Sequence, residues 1–162
     1  MQFNLYAILL ASFSSVVVGF IWFTPKVFGN ILMRESGMTE GKIKGTKMAL
    51  LFGLSFFYAF LISLLLEGIV IHQNGAISLV GGAMEFENAK PSFTAFMADY
   101  KDAFRTFKHG ALHGFITGLF FALPIIATTA LHERRSFKYV LVVSGYWIVS
   151  LTIMGGIICA WR

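Results

Sequence analysis

His109 and His113 stand four residues apart in the run "HGALHGFITGLFFALPIIATTALH". On a helix that spacing puts both imidazoles on one face, one above the other. Thr117, Pro124 and Thr128 continue roughly the same side, which predicts a polar stripe along an otherwise apolar helix. Ionisable groups within a membrane-length segment usually face the protein interior and mark function. Glu67 closes the second apolar run and is the carboxylate expected at the same end. Two imidazoles and a carboxylate are a workable set for zinc or iron. The same groups suit a proton relay, because histidine titrates near neutral pH. One histidine could ligate haem, although no second axial ligand is evident at matching depth. The plain alternative is a pair of interfacial histidines bonded to backbone or headgroups. The candidate polar cluster is therefore Glu67, His109, His113 and Thr117, with His109 and His113 the candidate metal ligands and no cofactor assigned.

Other chemistry finds little footing. Ser12, Ser14, Ser15, Ser55 and Ser63 have no base at workable spacing and read as helix-packing residues. "VGGAME" and "MGGI" lack the following Lys-Ser/Thr and the strand–loop–helix setting of a phosphate loop. Cys159 is the single cysteine, so neither an intramolecular disulfide nor a thiolate cluster can form. An enzyme is not expected.

The elements that must position these residues follow from composition. The chain has 162 residues, 57% of them hydrophobic and only 13% charged, outside the usual soluble range. Leu5 to Thr24, Met48 to Leu66, Gly110 to Leu131 and Tyr139 to Trp161 are each about the 20 residues a helix needs to cross the hydrocarbon core. Four transmembrane helices in one domain over 1–162 are expected. The first run lacks a preceding basic segment and a small-x-small cleavage pattern, so it is expected to be retained, Met1 included. A net charge of +5 spread over the loops speaks of topology, not of nucleic acid.

The first connection carries Lys26, Arg34, Lys42, Lys44 and Lys47 against Glu35 and Glu40, and the third carries Arg134, Arg135 and Lys138 against Glu133. Both are basic, and four spans put both on one side, which the positive-inside rule makes cytoplasmic. Both termini are then extracytoplasmic. The basic "HERRS" turn suits anionic lipid headgroups or serves as a topology anchor. The second connection, an extracytoplasmic insertion over 67–108, is too long for a bare loop. Phe93, Phe96, Met97, Tyr100, Phe104 and Phe107 recur at helical spacing and predict an amphipathic helix of about four turns, lying on the outer leaflet or packed on the protein's own end. Ile69 to Gly82 reads as a short hairpin or an irregular re-entry.

Helices associate in lipid through small residues that allow close approach. Ala7, Ala11, Ser15 and Gly19 make one such ladder and Gly110, Gly114, Gly118 and Ala122 another, available either to an oligomer interface or to packing inside the bundle. The first span closes on "GFIWFTPKVFGN". There Trp22 and Phe23 are expected at headgroup depth, Pro25 turns the chain, and Phe28 begins a short interfacial helix that ends before the Gly37 to Gly45 loop. This stretch, with its glycine, aromatic pair, proline and Phe-Gly, resembles the first span of a bacterial membrane family known as domain of unknown function 1761. The later "HGALHGFITGLFFALPIIATTALHERRSFKYVLVVSGYWIVSLTIMGGIICAW" resembles that family's closing pair of helices, with Ser-x-Lys, Gly-Tyr and Met-Gly-Gly. The resemblance covers the chain apart from the segment around Ile69 to Tyr100, which is longer than the family's usual second connection. It implies a small four-span inner-membrane protein and supplies no catalytic residue.

The sequence thus predicts an all-α membrane protein whose partners are the bilayer, further copies or other membrane proteins, and anionic lipid. The expected role is a non-enzymatic subunit of a membrane assembly. The alternative is an oligomeric transporter or channel with a His/Glu polar path.

Overall fold

The computed structural model describes residues 4–39, 41, 45 and 47–161. Met1, Glu40, Lys42 and Lys44 lie outside the described residues. Every regular element among those described is helical, and four helices are long and apolar enough to cross a membrane: Leu5–Trp22, Met48–Val70, Phe107–His132 and Phe137–Ala160. Three of them begin on a side-chain oxygen that accepts an otherwise unpaired amide, Asn4 from Ala7, Thr106 from His109 and Ser136 from Tyr139.

The fourth span is the hub. It packs on the other three, most extensively on the third. Ile8 and Ala11 of the first span, Leu66 and Val70 of the second, and Leu151, Met154, Ile158 and Cys159 of the fourth form the core. Small residues set how close the spans come. A Cβ built on Gly110 would overlap the carbonyl oxygen of Gly155, one on Gly114 that of Leu151, and one on Gly118 the Cα of Ile148. Gly156 likewise leaves room for the Phe107 ring. On the first span Ala7, Ala11 and Ser15 are buried, and Gly19 faces the ring of Tyr146. Both small-residue faces therefore make their close approaches within this one chain. Buried hydroxyls add polar ties: Ser12 to Ser63 at 3.1 Å and Ser15 to Tyr146 at 3.0 Å.

The stretch after the first span folds on itself. The Trp22 indole N–H donates to the Val142 carbonyl at 3.0 Å, and its ring lies 4.4 Å from that of Phe28. Pro25 starts a π-turn, Pro25–Gly29, that runs into the helix Asn30–Ser36, which ends at Gly37 in the left-handed conformation (φ 69°). Gly29 lies against the backbone of Phe23 and Thr24, where a side chain has no room.

The end of this helix is clasped to the turn between the third and fourth spans. Arg135 donates to the Ser36 carbonyl at 2.6 Å, and the Ser136 hydroxyl donates to the Glu35 carboxylate at 2.6 Å. The first and third connections thus meet at one end of the bundle, here the clasp end. The opposite end carries the histidines.

Between the second and third spans the contact is partial. The second span packs on Phe107–Thr117 of the third. Pro124 then withholds an amide from the helix ladder, and Gly118–Ala122 winds as a π-turn ahead of it. Below Thr117 a groove of about 220 Å³ opens between the two spans, floored by Trp147 and Leu151.

The connection over 67–108 departs from the predicted pattern in three ways. The second span continues through Glu67 to Val70, which places Glu67 inside the helix. His72–Ser78 is a helix, followed by Gly81 and Gly82 at positive φ and a 3₁₀ segment, Ala83–Asn88. The amphipathic helix is shorter than four turns, Pro91–Tyr100, because Phe104 adopts a left-handed conformation (φ 61°) and Thr106 starts the third span afresh. Met97 is its buried residue, against the wall that Ile77 and Gln73 help to build, while Phe96 and Tyr100 are exposed.

Gly110→Ala or Gly155→Ala should destabilise the fold by about 3 kcal/mol or more, since backbone must move to admit the methyl. Gly53→Ala, facing open space on the second span, should leave the melting temperature in detergent unchanged or slightly raised. The Ser136 hydroxyl, and then Arg34, hold the Glu35 carboxyl below its ordinary value of 4.5. Its contribution is therefore complete above that value and lost as pH falls through the lowered one. The wild-type melting temperature should drop on acidification through this window, and Glu35→Gln should flatten that part of the profile. Equal slopes for the two proteins would contradict the clasp.

Candidate functional site

At the histidine end three imidazoles converge. His109 and His113 come from successive turns of the third span, as their spacing predicts, with ring centroids 4.6 Å apart. The third is His72, whose ring lies 4.8 Å from His109 and 4.9 Å from His113. One ligating nitrogen from each can be chosen so that all three lie within 4.8 Å of one another. The Nε2 atoms of His72 and His109 share a hydrogen bond at 2.8 Å, which requires one ring to donate and the other to accept. His72 is exposed and the other two are partly covered, so the cluster is reachable from outside.

The local sequence explains how His72 arrives. After Val70 the chain leaves helical geometry for one residue, Ile71 (φ −107°, ψ 97°), which is buried at the edge of the core. That single extended residue swings His72 out of line with the second span and toward the third. Gln73 then fixes it. Its buried amide nitrogen donates to the carbonyls of Tyr100 at 2.8 Å and Ala103 at 2.9 Å, tying the start of the short helix to the end of the insertion.

A second knot holds the other side. Arg105 donates to the Cys159 carbonyl at 2.9 Å and to that of Trp161, satisfying the last carbonyls of the fourth span. The Phe104 carbonyl in turn accepts from the Thr106 amide at 2.8 Å and from the Cys159 thiol at 3.3 Å. Held in this way, Phe104 keeps a backbone conformation that costs a non-glycine residue energy, of the kind concentrated at functional sites. Its ring lies 5.0 Å from His109 and 6.0 Å from His72, flanking the cluster.

The residues singled out by sequence divide. His109 and His113 are in the cluster, and the Thr117 hydroxyl sits one turn below, donating to the His113 carbonyl at 2.8 Å. Glu67 does not join: among the described residues, the group able to share a metal is His72, His109 and His113. Its backbone carbonyl instead receives the Ile71 amide and, at 3.5 Å, the Asn74 side chain. His72 is not among the residues the sequence offers for the site, and Phe104 is legible there only as part of the aromatic stripe. The available signal for His72 was a histidine just past the second apolar run, on the side shared with His109 and His113.

Three imidazoles are a known zinc donor set that leaves a fourth position open. At a metal–nitrogen distance of about 2.0–2.1 Å, tetrahedral ligand atoms sit roughly 3.3 Å apart. The pair at 2.8 Å would open slightly and the third ring close, both within reach of side-chain rotation. Softer thiolate chemistry has no part here, since Cys159 is buried and bonded to the Val70 and Phe104 carbonyls.

No curated protein and no solved structure matched the chain. A family model did, over residues 6–159, a range that takes in Gly19 to Asn30, the 69–100 segment and all three cluster histidines. With four apolar spans and a match over nearly its whole length, the chain belongs to the family described as "Protein of unknown function (DUF1761)".

Proposed function

We propose that this protein is a non-enzymatic subunit of the bacterial inner membrane that holds one divalent transition-metal ion at its extracytoplasmic end, through His72, His109 and His113. The observation that carries this is the convergence of three ring nitrogens from two separate elements, each of them locked by its own backbone ties. Imidazole donors favour zinc, copper or nickel over magnesium or calcium. The basic clasp faces the cytoplasm in this reading, which puts both termini and the metal outside. Because the small-residue faces are filled within the chain, assembly with partners uses outward faces such as that of Phe13, Phe57 and Leu61. The apolar core of Ile8, Leu66, Leu151 and Met154 leaves no polar path through the single chain, which favours a binding site over the alternative of a path enclosed by an oligomer.

Zinc titration of the metal-stripped full chain in detergent, followed by calorimetry, tests the proposal. One ion per chain is expected. Removing even an outer-shell partner typically weakens a metal site 10–100-fold, so His72→Ala, His109→Ala and His113→Ala should each weaken binding by about a hundredfold or more. Glu67→Gln should leave the affinity unaltered. Undiminished affinity in the histidine variants, or no zinc uptake by the wild type, would remove the proposal.

A further inference from the structure

We propose that the three histidines and the groove beneath them form one site for a membrane phospholipid, with a headgroup phosphate oxygen on the metal and an acyl chain between the second and third spans. The inference rests on the metal site of the preceding subsection and adds the class of molecule that completes it.

Continuity joins the two parts. Thr117 hydrogen-bonds to the His113 carbonyl on its upper side and lines the groove on its lower side. Ile69, on the facing wall, lies three residues before His72. A molecule seated in the groove therefore presents its upper end to the imidazoles within about one helical turn, roughly 5.4 Å.

The groove suits an acyl chain on three counts. It lies wholly within the membrane-spanning segments, and apart from the Thr117 hydroxyl and the indole of Trp147 its lining is built from apolar residues such as Leu65, Phe121 and Ile125. These rim residues are exposed, so the opening faces hydrocarbon and lipid is the molecule available to fill it. At about 220 Å³ it exceeds the roughly 150 Å³ apolar cavity that accommodates benzene. Its persistence also has a cause: the π-turn before Pro124 carries the third span away from the second, while Trp147 and Leu151 supply a floor from the fourth.

Charge chooses the headgroup. Three neutral imidazoles leave a divalent ion with its full charge and an open position, and among the described residues no carboxylate belongs to the cluster. An anionic oxygen donor supplies both the missing ligand and the neutralising charge. A phospholipid phosphate carries such an oxygen at the depth where the groove ends, whereas a phosphate-free lipid with identical chains does not.

Native mass spectrometry of the full chain tests this, with zinc and lipid adducts read in one spectrum. The probes are dioleoyl phosphatidylglycerol, dioleoylglycerol as the phosphate-free lipid, and glycerophosphoglycerol as the tail-free headgroup. Zinc-loaded protein should retain phosphatidylglycerol at least tenfold more than dioleoylglycerol, and the preference should vanish when zinc is removed. Leu65→Trp and Ala122→Phe, which fill the groove from opposite walls, should keep the zinc adduct and lose the lipid adduct. Excess headgroup alone should not displace the lipid. Zinc bound with equal retention of the two lipids, or with retention unaffected by either filling variant, or with displacement by headgroup alone, overturns the lipid inference and leaves the metal site standing. Absence of a zinc adduct overturns both.

Discussion

The structure depends on the backbone-to-backbone approach of the third and fourth spans at Gly110 and Gly155, extended by Gly114 against Leu151 and Gly118 against Ile148. In lipid, apolar side chains gain little from leaving one hydrocarbon environment for another, so van der Waals contact at close range has to hold helices together. The seam also fixes the height and rotation of the third span. His109 and His113 flank Gly110 and Gly114 in sequence, so the contact that removes the glycines from lipid turns the imidazoles toward the second span. The same seam brings Cys159 beside Gly110 and the end of the fourth span beside Arg105 and Phe104. Packing and site geometry are therefore one problem here.

Much of this was written locally in the chain. The four spans follow from run length, the Pro25 turn and Phe28 from residue chemistry, and the third-span histidine pair from its spacing of four. That the first and third connections share an end followed from an even number of crossings, and Arg135 and Ser136 on Ser36 and Glu35 show them touching. What escaped the sequence depends on contacts between distant residues. The apolar run places Glu67 at the end of its helix, yet three more helical positions and one extended residue deliver His72 instead. The aromatic period from Phe93 to Phe107 suits one continuous helix. It breaks at Phe104 because Arg105 and the Phe104 carbonyl bond to the fourth span some 55 residues away, and no local signal encodes that demand. The groove was equally hidden, since it reflects how a proline-induced π-turn redirects one span relative to another.

Taken together, the two ends of the bundle are built differently. The clasp end joins the two connections through Arg135 on the Ser36 carbonyl and Ser136 on Glu35, and adds pairs within each connection, Arg34 to Glu35 at 3.0 Å and Arg135 to Glu133 at 3.1 Å, with Arg135 over the Tyr139 ring. Exposed pairs of this kind stabilise weakly and serve to fix register. The histidine end spends its polar groups on orienting three imidazoles: Gln73 holds His72, Thr106 caps the helix of His109, and Thr117 sits under His113. These bonds fix the backbone positions from which the three imidazoles project.

The central claim is that His72, His109 and His113 ligate one metal ion. X-ray absorption at the zinc edge of the loaded, full-length protein addresses it most directly. The account predicts three imidazole nitrogens and one light fourth donor at about 2.0–2.1 Å, with the imidazole count falling to two in His72→Ala. A shell containing sulfur, a shell of oxygen without imidazole scattering, or a spectrum unchanged in His72→Ala would contradict it.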